Sequence, residues 1–70
     1  KPAKMDIETA KAITNSAGER YGNLSNDTLS NMTIGIGKAL KNTTITPEER
    51  AEYQMKLDAI GVILKERATS

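Results

Sequence analysis

The side chains able to do chemistry in this sequence are carboxylates, amines, amides and hydroxyls, because it holds no Cys and no His. A thiol nucleophile, a histidine acid–base and a zinc centre of the usual Cys/His type are thereby excluded. So is a disulfide framework. The densest acidic group is Glu48, Glu49 and Glu52. A general acid or base needs a pKa drawn toward neutrality by burial or by a close like charge. These three instead open a helix, where the backbone dipole favours the ionised form. Capping and solubility are their expected roles. No loop sets oxygen ligands at alternating positions for a hard cation. The expectation is a non-enzymatic protein with no catalytic residue, no cofactor and no metal.

Phosphate and nucleic-acid chemistry fare little better. In Gly35-x-Gly37 the position of a third dinucleotide-loop glycine holds Leu40, and no strand precedes the pair. The segment Ile34-Gly35-Ile36-Gly37-Lys38 resembles amphipathic membrane peptides over a few residues. A membrane-surface helix needs a strong basic face, which two lysines do not make. Close helix packing is the preferred reading of the glycines. The net charge is +1, made of +2 in residues 1–5, −1 in the first helical segment, +1 in the second and −1 in the third. A DNA reader would want one basic face. The second segment, with Asn31, Lys38 and Lys41, is the nearest to one. Four Asn-x-Ser/Thr triplets begin at Asn23, Asn26, Asn31 and Asn42. They read as turn and capping chemistry, since these side chains bond nearby backbone groups.

Three helical stripes must position whatever site exists. Ile7, Ala10, Ile13, Ala17 and Tyr21 fall at spacings of 3, 3, 4 and 4. That predicts a helix over 6–21, with Asp6 as N-cap and Gly22 as the left-handed residue after it. Leu29, Met32, Ile36 and Leu40 predict a second helix over 26–41. Ser25 is its cap, and Leu24 and Leu29 occupy the hydrophobic-staple positions. Thr46-Pro47-Glu48-Glu49 is the sharpest local signal. Thr46 caps, Pro47 sits where a missing amide costs nothing, and Glu49 closes a capping box. The third helix is expected over 47–67. Residues 1–5 carry no pattern and read as a disordered N-terminal segment, leaving 6–70 as one helical domain. The fold expected is an all-α, small three-helix antiparallel bundle.

Helix three carries more apolar surface than one seam needs. Tyr53, Leu57, Ile60 and Leu64 lie within a sector of roughly 60° at about 100° per residue. Ala51, Met55, Ala59 and Val62 make a second stripe on nearly the opposite side, and Ile63 falls between. Ile34 likewise stands off the stripe of helix two. Either helix three is central in the monomer, or its second stripe meets something outside the chain. A chain of 70 residues without disulfides or metal often relies on association. Ile34, Met55 and Val62 are therefore the candidate partner-binding residues. The function expected is a small protein-interaction or regulatory module acting through an apolar helix face, with a protein partner or self-association. The alternative is a small helical DNA-binding regulator. No apolar run approaches the 18 or so residues of a membrane span. No leader-like order opens the sequence. A soluble, cytoplasmic accessory protein with no membrane partner, of the small bacterial or phage kind, is expected.

Overall fold

The computed structural model describes residues 5–69. In chain order it holds α1 (Ile7–Ala12), a single 3-10 turn (Tyr21–Asn23), α2 (Asn26–Leu40) and α3 (Pro47–Thr69). The fold is all-α and three-helical, with no named strand among the described residues. One isolated antiparallel bridge joins Thr14 to Arg20.

The first helix is much shorter than its stripe implies. Asp6 caps it, accepting the Thr9 amide at 2.8 Å, but it ends at Ala12 and Ile13 is already extended. The β-branched pair Ile13-Thr14 is a poor helix former. The side chain of Asn15 then offers the backbone a competing arrangement. Its Oδ1 accepts the amides of Ala17 at 2.9 Å and Glu19 at 3.1 Å. The chain doubles back, with Asn15 N donating to Glu19 O and Tyr21 N to Ile13 O, each at 2.9 Å. The left-handed glycine of this turn is Gly18, with φ 85°, and not Gly22. Gly22 has a different reason to be small. A Cβ there would lie 2.8 Å from Lys11 Cγ and 3.3 Å from Lys11 Cα. Its missing side chain lets the 3-10 turn close onto α1. Tyr21 is fully buried all the same, delivered by the turn rather than by a helix, while Ala17 is exposed.

The other two helices start where their caps require. Ser25 Oγ accepts the Thr28 amide at 3.2 Å, and Leu24 and Leu29 are both in the core. Thr46 and Glu49 form the reciprocal box, Glu49 N donating to Thr46 Oγ1 at 3.0 Å and Thr46 N to Glu49 Oε1 at 2.9 Å. Two arginines fix the relative direction of α2 and α3. Near the start of α3, Arg50 Nη1 donates to Leu40 O at the end of α2, at 3.0 Å. Near the end of α3, Arg67 donates to Asn26 Oδ1 at 2.6 Å and to Gly22 O at 3.1 Å. The two helices are therefore antiparallel.

Helix α3 is the shared wall, in contact with both α1 and α2. Its fully buried residues are Ala59, Ile60 and Ile63. This corrects the expected seam. At about 100° per residue the buried sector runs through Ile63, between the two apolar stripes. Tyr53, Leu57 and Leu64 lie on one shoulder of it and Val62 on the other, all partly buried against the core. Ala51 and Met55 are exposed. Of the expected disordered segment 1–5, residues 1–4 lie outside the described residues. Met5 is half-buried and packs against the core.

Thr46→Ala removes the acceptor for the Glu49 amide and should lower stability by about 0.5–2 kcal/mol in denaturant unfolding. Ile63→Ala should cost roughly 2–5 kcal/mol, more than Leu57→Ala, because Ile63 is the more deeply buried of the two. Equal losses at the two positions would place the centre of the core elsewhere.

Candidate functional site

Apolar groups that a monomer leaves uncovered are the first thing to locate. Ile34 is 58% exposed and Met55 42% exposed. Val62 is half-buried. The structure does not bring the three together. Val62 lines an open groove of about 770 Å³ between α1 and the C-terminal half of α3, with Met5, Ile7 and Leu57. Met55 lines a separate depression of about 570 Å³, with Ala12 and Ile13. Ile34 projects from α2, on a helix whose Ile36 and Leu29 are buried.

The groove is built by two short pieces of sequence. Met5 and Ile7 flank the Asp6 cap, so the cap that starts α1 also sets their direction toward α3. On α3 the groove residues Leu57, Asp58, Gly61, Val62 and Lys65 belong to adjacent rows at spacing four. Asp58, Gly61 and Lys65 are exposed. Asp58 Oδ1 accepts from Gln54 Nε2 at 3.1 Å. Sequence reasoning missed Met5 and Ile7 here. The available signal was a pair of apolar residues straddling a helix cap.

A smaller hollow of about 250 Å³ lies between α2, α3 and the turn after α1, lined by Tyr21, Met32, Tyr53 and Lys56 among others. The Tyr21 hydroxyl is buried and has no hydrogen-bond partner among the described residues. Burial, and secondarily the charge of Glu52, push its phenol above the ordinary value near 10.

The carboxylates stand apart from one another in role. Glu49 is engaged in its capping box, and Glu48 and Glu52 are exposed. Hydrogen bonding to Thr9, by its side chain and then by its backbone amide, holds the exposed Asp6 below its usual range. No group of three or more His, Cys, Asp or Glu among the described residues is arranged to hold a metal ion. Asn31, Lys38 and Lys41 are all exposed on α2 or at its end. Two of the triplet asparagines make hydrogen bonds, one local and one long-range: Asn42 Oδ1 accepts from Thr44 N and Thr44 Oγ1, and Asn26 Oδ1 accepts from Arg67 across the fold. No helix among the described residues is long and apolar enough to cross a membrane.

Tyr21→Phe removes a buried hydroxyl that bonds nothing and should raise stability by about 1 kcal/mol. The raised phenol pKa sets the sign of the pH effect. Folding stability is unaffected by ionisation of this group below pH 10 and falls as pH climbs from there through the raised value. Alkaline unfolding of Tyr21→Phe should therefore begin at higher pH than that of the parent, and coincident curves would show that Tyr21 ionises without penalty.

Comparison with known proteins finds no matching family model, no matching curated protein and no matching solved structure.

Proposed function

We propose that the chain is a small non-enzymatic protein-interaction module, acting in the cytoplasm through apolar surface on its helices. The observation that carries this reading is the α1–α3 groove, where Met5, Ile7, Leu57 and Val62 line an open surface on a chain of only 70 residues. Apolar side chains along an open groove gain free energy when a partner covers them. Two further apolar side chains, Ile34 and Met55, stand exposed elsewhere on the same small body. Methionine suits such a surface because its unbranched, polarisable chain adapts to different contacts.

The supporting physics concerns size. A domain this small buries a modest fraction of its surface, and covering one more apolar face adds stability that its interior cannot supply.

A photo-reactive residue placed at position 62 or 55 should form discrete adducts, with the purified chain or in cells of the native host. The same group at Asp27, an exposed acidic residue in the first turn of α2, should form none. Met55→Glu should keep the helical circular dichroism, since Met55 is 42% exposed. Absence of any adduct from positions 55 and 62 in both settings would overturn the reading.

A further inference from the structure

We propose that the outer face of α3 is a two-fold contact with a second copy of this chain, α3 packed antiparallel on α3 across Gly61. The proposal rests on the interaction reading above and names its partner.

The argument begins with the groove residues of α3. They form two neighbouring rows at spacing four, Leu57–Gly61–Lys65 and Asp58–Val62–Glu66. Rows of this kind are the ridges by which helices interdigitate. A two-fold contact must be self-complementary, because the same patch supplies both sides. Set against its own reverse, the first row meets the second in a favourable register. Gly61 faces Val62 of the second copy, and Leu57 faces the methylene stem of Glu66. Asp58 faces Lys65, and by symmetry Lys65 faces Asp58. Two opposite-charge pairs thus flank a contact whose centre is a glycine and a valine. The parallel arrangement would set Asp58 on Asp58 and Lys65 on Lys65, so charge alone selects the antiparallel one.

Gly61 fits this role better than any it has in the monomer. It lies inside a helix of 23 residues, where glycine costs up to about 1 kcal/mol relative to alanine. A Cβ added there would meet nothing within 4 Å among the described residues. The same is true of Gly35 and Gly37, so the glycine alone decides nothing. What distinguishes Gly61 is its place in an apolar groove between Asp58 and Lys65. Without a side chain at the crossing, two helix backbones approach closely and the half-buried Val62 becomes covered.

The test is a charge swap read by sedimentation equilibrium. The parent chain should show a concentration-dependent mass rising toward twice its 7.6 kDa. Asp58→Lys should weaken dimerisation at least about tenfold, because one substitution creates two like-charge contacts across the two-fold axis. Lys65→Asp should do the same, and the double variant should recover the parent's affinity. Asp58 and Lys65 are exposed, so circular dichroism should stay unchanged in all three. Gly61→Leu should abolish the dimer while leaving the monomer folded. A parent that stays monomeric at millimolar concentration overturns the proposal, even where adducts to other proteins from position 62 uphold the interaction reading. A dimer indifferent to both single charge reversals, yet lost on Ile34→Glu, also overturns it.

Discussion

The burial of Ala59, Ile60 and Ile63 from two sides is the constraint on which the other features depend. These three residues sit on the one helix that both α1 and α2 contact. Covering them needs two walls, of which α2 is the long one. The second wall is α1 with the 3-10 turn behind it. Tyr21 and Ala10 are its fully buried members. The turn at Asn15–Gly18 has a clear purpose in this light. A continuous helix over 6–21 would carry Tyr21 about 20 Å along its axis from Ile7. Doubling back instead stacks Tyr21 beside α1 and over the same part of α3.

The polar contacts serve that packing. Arg50 and Arg67 tie the two ends of α3 to opposite ends of α2, and Arg67 also reaches the carbonyl of Gly22. One guanidinium thus holds the 3-10 turn, the start of α2 and the end of α3 in a single arrangement. A fork with several donors can do this where an ammonium would make a point contact. The buried hydroxyl of Tyr21 is the exception, a polar atom enclosed without a partner among the described residues for the sake of its ring.

Covering α3 from two sides leaves its third side open. Asp58, Gly61 and Lys65 face away from the core, with Leu57 and Val62 on the margins. The interaction reading and the two-fold contact both rest on that open side.

Much of this architecture was legible in the residues. Thr46-Pro47-Glu48-Glu49 determined the start of α3, and Ser25 with Leu24 and Leu29 determined that of α2, because caps are settled by groups within five residues of each other. Asp6 likewise marked the start of α1. The exposure of Ile34 and Met55 was also readable, since each lies off its helix's stripe. The end of α1 was not. The stripe through Ala17 and Tyr21 kept helical spacing, while the β-branched Ile13-Thr14 pair and the competing bonds of the Asn15 side chain turned the chain out of the helix. The role of Gly22 depended on Lys11, a neighbour eleven residues away that the folded turn brings beside it. Which sector of α3 is buried was open in the same way. Two apolar stripes on one helix are a local fact, whereas the choice between them depends on where two other helices lie. Burial is a property of the assembled body, so tertiary structure alone placed Ile63 at the centre and left Val62 at the edge of a groove.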